Sequence, residues 1–354
     1  MTLLITGGAG FIGANLADRL ATDGHRVRVY DALSRPGTER NLEWLRSRHD
    51  VDFIQADIRD ADRLGEAASD VDAVFHLAAQ VAVTTSMADP REDHDINIGG
   101  TFNLLETLRR RKDAGDRVPL IFASTNKVYG DLADLDFAVE DEAYVPVDPQ
   151  TRAHGIGEAR PLDFHTPYGV SKGAADQYVL DYARSFDLPT CVLRMSCIYG
   201  QRQMGTEDQG WVAHFLIRAL EGKPITLYGD GRQVRDILDV SNAVDAYVQA
   251  WQRIDDVQGR AFNLGGGPAN AVSLRQLLAH IADLVGHEID ISYADWRAGD
   301  QRYFVADTRL GEQALGLRAK VAWREGVANL ARWLAAERRL NLPIADAPRL
   351  QVAS

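Results

Sequence analysis

Cysteine is nearly absent from this chain: two of 354 residues, Cys191 and Cys197. So few cysteines exclude a disulfide framework or a cysteine-built zinc site, and buried free thiols and no bound metal are expected. Long apolar runs are missing too, and none reaches the roughly 18 residues that a membrane-spanning helix needs. Basic residues number 39 against 51 acidic ones, a net charge of −12, which argues against nucleic acid or an anionic membrane as a partner. A small anionic ligand stays admissible, because a few local arginines dominate a pocket. The sequence enters a strand-like run at Leu3-Leu4-Ile5, so no signal peptide is expected and the expected compartment is the cytoplasm. Internal repeats and low-complexity tracts are lacking. What remains is an ordinary globular composition, 45% hydrophobic, long enough for two lobes.

The richest local feature is TGGAGFIG at 6–13, set between that apolar run and an amphipathic segment, Phe11 to Leu20. Strand, glycine turn and helix in this order make a dinucleotide-binding element. Gly7 permits the tight turn, Gly10 lets the backbone approach a pyrophosphate, and Gly13 allows close helix–strand packing. The helix start offers unpaired N–H groups and positive dipole to the phosphates. The next strand, Arg26 to Tyr30, ends at Asp31. A carboxylate there accepts hydrogen bonds from the adenosine ribose diol and repels a 2′-phosphate, so NAD is expected over NADP. Arg35 is the counter-signal, since it is able to pair with that phosphate.

Apolar strand-like runs at 2–6, 26–30, 51–56, 72–77, 118–123 and 189–194 alternate with helical periodicity over 11–22, 92–112 and 168–186. That alternation predicts an α/β, doubly wound parallel Rossmann sheet with the ligand at the carboxyl ends of its strands. The segment 131–163, rich in Asp, Glu, Pro and Gly, interrupts the pattern; a substrate-side lid and a solvated surface excursion both fit it. Past 195 the alternation becomes irregular, with helices expected at 210–222, 240–254, 273–286 and 324–339, and strands near 225–228, 234–238 and 261–264. The division expected is an NAD-binding domain of 1–195 plus about 234–270. A smaller, discontinuous substrate lobe of about 196–233 plus 271–340 follows, and then a tail, 341–354.

Tyr168-Gly169-Val170-Ser171-Lys172 puts a phenol and an ammonium one turn apart on a helix. A phenol is a poor base at its ordinary pKa of about 10 and needs a cation beside it. Lys172 and an oxidised nicotinamide supply that charge, making Tyr168 a general base. An exposed surface pair is the bland alternative, weakened by the nucleotide-binding first half. Upstream, Ser124-Thr125 closes a strand with hydroxyls that face the crevice, where Thr125 is placed to bond a reacting hydroxyl; a helix cap is the alternative.

Together TGGAGFIG, Asp31, Asp57-Ile58, His76-Leu77-Ala78-Ala79, Asn97, Ser124-Thr125, YGVSK (168–172) and Gln233-Val234-Arg235-Asp236 resemble the extended short-chain dehydrogenase/reductase family, within it the nucleotide-sugar epimerases and dehydratases. The resemblance spans about residues 1–340. It implies that Gly7, Gly10, Phe11, Ile12, Gly13, Asp31, Asp57, Ile58, Leu77, Ala78, Ala79, Tyr168 and Lys172 hold NAD. It also implies that Thr125, Tyr168 and Lys172 are the catalytic set, and that subunits pair through helices 92–112 and 168–186 as a homodimer or homotetramer. Longer stretches, STNKVYGDL (124–132), DFHTPYGVSKGAADQYVLDYAR (163–184), DQGW (208–211), GRQVRDIL (231–238) and DQRYFVAD (300–307), are similar to the branch that inverts carbon 2 of CDP-linked sugars. Dehydratases of the family carry Asp-Glu where this chain has Asn126-Lys127, a pair that does not perform their acid–base work.

The implied activity is redox-neutral epimerisation of a nucleotide-diphosphate sugar through a keto sugar, with a CDP-sugar favoured and NAD retained. By chemistry alone, inversion at carbon 4 of a UDP-hexose fits equally, and an NADH-releasing oxidoreductase or an NAD sensor is the rival from another class. Diphosphate needs arginine forks or lysines: Arg235 and Arg302 match family positions for it, and Arg202, Gln209, Thr125 and Asn126 complete the expected substrate set. Ion pairs with Asp236 and Asp300 are the alternatives for Arg235 and Arg302.

Overall fold

The computed structural model describes residues 1–317, 320–340 and 342. The tail from 341 therefore lies, Leu342 apart, outside the described residues. In chain order the strands are β1 (Thr2–Thr6), β2 (Arg26–Asp31), β3 (Asp52–Gln55), β4 (Ala73–His76), β5 (Leu120–Thr125), β6 (Phe137–Glu140), β7 (Ala143–Pro146) and β8 (Thr190–Met195). They continue as β9 (Cys197–Tyr199), β10 (Ile225–Tyr228), β11 (Val234–Asp239), β12 (Arg260–Leu264), β13 (Ala271–Ser273), β14 (Ile291–Ala294) and β15 (Tyr303–Phe304).

Seven of these form one parallel sheet in the order β12-β8-β5-β4-β1-β2-β3. The order reverses between β1 and β4, and a crevice opens there at the strands' carboxyl ends. Side chains alternate across the sheet as the pleat requires: Leu3 and Ile5 enter one apolar cluster with Leu16, Val27 and Tyr247, while Leu4 enters the opposite one with Leu104, Phe122 and Val179. Both faces are therefore dry, and the strands read as continuous hydrophobic runs.

The smaller lobe has its own core of Phe215, Leu216, Leu227, Ile237, Leu277 and Leu330. In it β11 pairs antiparallel with β13 and parallel with β15 and β9, while β10 pairs with β14. From β11 the chain passes directly into the helix Val240–Gln252, whose Val244 and Tyr247 belong to the core of the large sheet.

The interrupting segment folds as the β6–β7 hairpin and the short helix Pro149–His154. Ile156 adds a bridge to Ala306, and Leu132 and Ile156 pack with Tyr129 and Phe304. No residue of 131–163 lines the main cavity, so the segment buttresses the small sheet from behind. The helix expected over 92–112 is also not uniform: Pro90–His94 and Thr101–Asp113 are joined by a π-turn, Asp95–Gly100. Such a bulge re-aims side chains, and it turns Asn97 inward, where its amide donates to Gln80 O (3.1 Å), Asp93 Oδ1 (3.2 Å) and Ser171 Oγ (3.0 Å).

Candidate active site

One cavity of about 890 Å³ runs along the crevice from the glycine turn to the smaller lobe. Its first wall is built mostly from backbone. Gly7 adopts φ +70°, and a Cβ there would sit 2.7 Å from Ala78 N; a Cβ on Gly13 would collide with the Gly7 carbonyl oxygen. Only glycine fits either place, which brings the start of the helix Phe11–Thr22 to the cavity. Asp31 accepts from the amides of Ala9 (3.0 Å) and Leu33 (2.8 Å). Burial raises its pKa, and those amides oppose the rise. Gly7, Gly10, Phe11, Ile12, Gly13, Asp31, Asp57, Ile58, Leu77, Ala78 and Ala79 all line the cavity. The close-packed turn, the N-terminal amides and the pinned carboxylate fit a dinucleotide whose pyrophosphate lies over the turn and whose ribose meets Asp31.

At the middle of the cavity, Thr125 ends β5 and Tyr168 stands in the first turn of the helix Thr166–Phe186, both facing the space. The amide of Tyr168 donates to Ser86 Oγ at 3.1 Å, which fixes the helix start. Burial pushes the phenol up to about 12, while a hydrogen bond with Thr125 pulls the other way. Lys172 does not line the cavity. It is buried, donates to Ala123 O at 2.7 Å and lies 4.3 Å from the Phe122 ring centre. Burial pulls its ammonium down to about 8, against the carboxylates of Asp176 and Asp93. His165 turns away to Asp163 (3.0 Å) and Asp131 (3.4 Å).

The second wall is made of side chains. Asn126, Arg202, Gln209 and Arg235 line it as expected. Asn126 donates to Gln301 Oε1 at 3.2 Å. Arg235 is buried, donates to Val234 O at 2.8 Å, and lies 3.7 Å from Asp300. Its neighbour Asp236 points to the other side of β11, where it bonds Ser196 and the amide of Gly267. Arg202 packs its guanidinium on Trp44, 4.1 Å from the ring centre. The structure does not bring Arg302 to the site. Arg302 lies in the bend just before β15, exposed between the buried Gln301 and Tyr303, and its guanidinium stands 5.7 Å from the Tyr144 ring centre. Arg297 stands in the cavity instead, 3.7 Å from the Tyr228 ring centre and paired with Glu207 and Asp208. Arg35 reaches across to bond Gln209, so its guanidinium spans the two walls.

The model of the NAD-dependent epimerase/dehydratase family matches residues 3–265. The chain belongs to that family. CDP-paratose 2-epimerase of Salmonella typhi is 42% identical over 340 residues, covering 94% of this chain and 99% of that protein. UDP-glucose 4-epimerase of Mycolicibacterium smegmatis is 34% identical, covering 93% and 96%. Among solved structures, UDP-glucuronic acid 4-epimerase of Bacillus cereus in complex with UDP-glucuronic acid and NAD superposes with a TM-score of 0.81 at 26% identity, covering 95% and 100%. This epimerase/dehydratase chain is thus an enzyme, and its cofactor is NAD. Sequence reasoning missed Lys127, Trp211 as a definite wall residue, Tyr228, Arg297 and Asp300. For Arg297 a signal existed, an arginine shortly before Gly299-Asp300 in a loop; Arg302 drew the assignment because it stands in the more recognisable stretch.

Proposed function

We propose that this enzyme is an NAD-dependent 2-epimerase of a CDP-linked sugar, with CDP-paratose as substrate. The observation that carries the reading is the meeting of Thr125 and Tyr168 in one cavity with an amide and an amine, Asn126 and Lys127, where a dehydratase needs two carboxylic groups. The near full-length similarity to CDP-paratose 2-epimerase supports the choice of base and carbon.

NAD, when bound, supplies the hydride acceptor and a positively charged ring beside the phenol. Thr125 holds the reacting hydroxyl, and Tyr168 takes its proton and later gives it back. Lys172 contributes its charge, which favours the phenolate once NAD is bound, and its bond to Ala123 O, which fixes the end of β5 on which Thr125 sits. Asp31 receives the adenosine ribose. Arg235 and Arg297 take the diphosphate, trading their carboxylate partners Asp300, Glu207 and Asp208 for phosphate oxygens. Residues 1–195 plus about 234–270 serve NAD, and about 196–233 plus 271–340 serve the sugar nucleotide. The enzyme works in the cytoplasm as a dimer or tetramer. The exposed aromatic contact of Phe102 with Tyr178 (ring centres 5.8 Å apart), on the two long helices, supports pairing there.

Proton NMR of the purified enzyme with CDP-paratose in deuterated water tests the reading. Inversion at carbon 2 without deuterium uptake there is the expected result. No conversion with NAD bound would refute this substrate. Inversion of UDP-glucose at carbon 4 under the same conditions would establish the second reading, which the M. smegmatis relative favours.

A further inference from the structure

Lys127 has no role in the reading above beyond not being a carboxylate. It lies on the 3-10 turn Asn126–Tyr129 that follows β5, and its own amide donates to Thr125 Oγ1 at 3.3 Å. Backbone thus ties it to the hydroxyl that meets the reacting sugar. Its side chain runs along the cavity wall, and its ammonium donates to the carbonyl of Gly299 at 2.9 Å. That bond uses one of three N–H groups. Among the described residues it forms no ion pair, since the nearby Asp300 is engaged by Arg235. Two cations, Lys127 and Arg235, therefore stand on one wall where Asp300 pairs with Arg235 alone. Burial, and after it the charge of Arg235, pulls the ammonium down to about 8. A half-buried ammonium with unused donors beside a second cation is set to receive an anion.

In a nucleotide-diphosphate sugar the phosphate is attached at carbon 1. Carbon 2 is the next atom of the ring, whereas carbon 4 lies across it. A phosphate held close to Thr125 thus presents carbon 2 to the catalytic hydroxyls, and a phosphate held farther away presents carbon 4. We propose that Lys127 is a specificity-determining residue: it grips the sugar-linked phosphate beside Thr125 and so selects carbon 2 for inversion. The proposal rests on the function argued above.

The test uses the NAD-loaded enzyme, Lys127→Met and Lys127→Arg, titrated calorimetrically with CDP and CMP, which differ by the phosphate in question. In Lys127→Met the preference for CDP over CMP falls about tenfold to hundredfold, the range of one charged hydrogen bond. CMP affinity stays within about twofold, and Lys127→Arg restores part of the preference. An unchanged CDP/CMP ratio in Lys127→Met overturns the proposal, and so does an equal loss for both nucleotides, which would mean a general effect on the pocket. Turnover of CDP-paratose is measured in parallel. If wild type binds CDP but does not turn over that sugar, the functional reading fails, while the ratio still reports on Lys127. As the specificity residue, Lys127→Met also loses at least about tenfold in kcat/KM for inversion at carbon 2; unchanged kcat/KM overturns the proposal.

Discussion

The two walls of the cavity offer a diphosphate opposite kinds of partner. On the NAD side the glycine turn and the carboxylate of Asp31 form the centre of the wall, with Asp57, Ile58 and Leu77 to Ala79 beside them at the ends of the neighbouring strands. No ligand is needed to organise them, because Gly7 and Gly13 are packed against neighbouring backbone. On the other wall Arg235, Arg297 and Lys127 come from separate segments and are already engaged with Asp300, Glu207, Asp208 or a carbonyl. A backbone-built wall binds by fit, and one methyl group spoils it. A wall of paired charges binds by exchange of partners, tolerates substitution, and loses affinity by increments.

Tyr168 stands between the walls and is the severest test of whether they serve one reaction. Tyr168→Phe should lower turnover about a thousandfold, within the range for general-base catalysis, with bound NAD unchanged when released by denaturation and quantified by chromatography. Near-normal turnover would remove Tyr168 from the chemistry. Arg235→Gln should raise KM for the sugar nucleotide about tenfold to hundredfold while NAD content holds; loss of NAD instead would show that the walls are not separable. Gly13→Ala should do the reverse, weakening NAD about tenfold, in line with overpacking costs of about 1–3 kcal/mol, while CDP affinity measured calorimetrically stays put. Arg302→Ala should change KM by less than about twofold, because its guanidinium faces solvent and Tyr144. A large rise would return Arg302 to the site and reverse its replacement by Arg297.

The same contrast explains what was legible in the sequence. The NAD wall's centre is local, so the spacing of Gly7, Gly10 and Gly13 and the position of Asp31 reveal it directly, and of the residues expected to hold NAD all but the buried Lys172 line the cavity. The parallel sheet follows from its two-sided burial, which leaves apolar runs at β1, β4, β5 and β8. The small lobe's strands are three or four residues long at β9, β10, β13 and β14, too short to show a period. Arg297 and Arg302 lie in the loop between β14 and β15, where no period tells which side chain faces the cavity. Arg302 is therefore expected at the site, while it is Arg297 and Lys127 that line the cavity. The π-turn at Asp95–Gly100 likewise carries no signature in a helical pattern.

Strand β11 places Arg235 at the ligand, and the helix continuing from it is rooted in the core of the large sheet. One unbroken length of chain is thus a beam fixed in both lobes, and a beam fixed at both ends gives the cleft no hinge along that line. The wall opposite is pinned differently: the tight turn Thr206–Gln209 hangs on side-chain contacts from Arg35 and Arg297, two guanidiniums that themselves line the cavity.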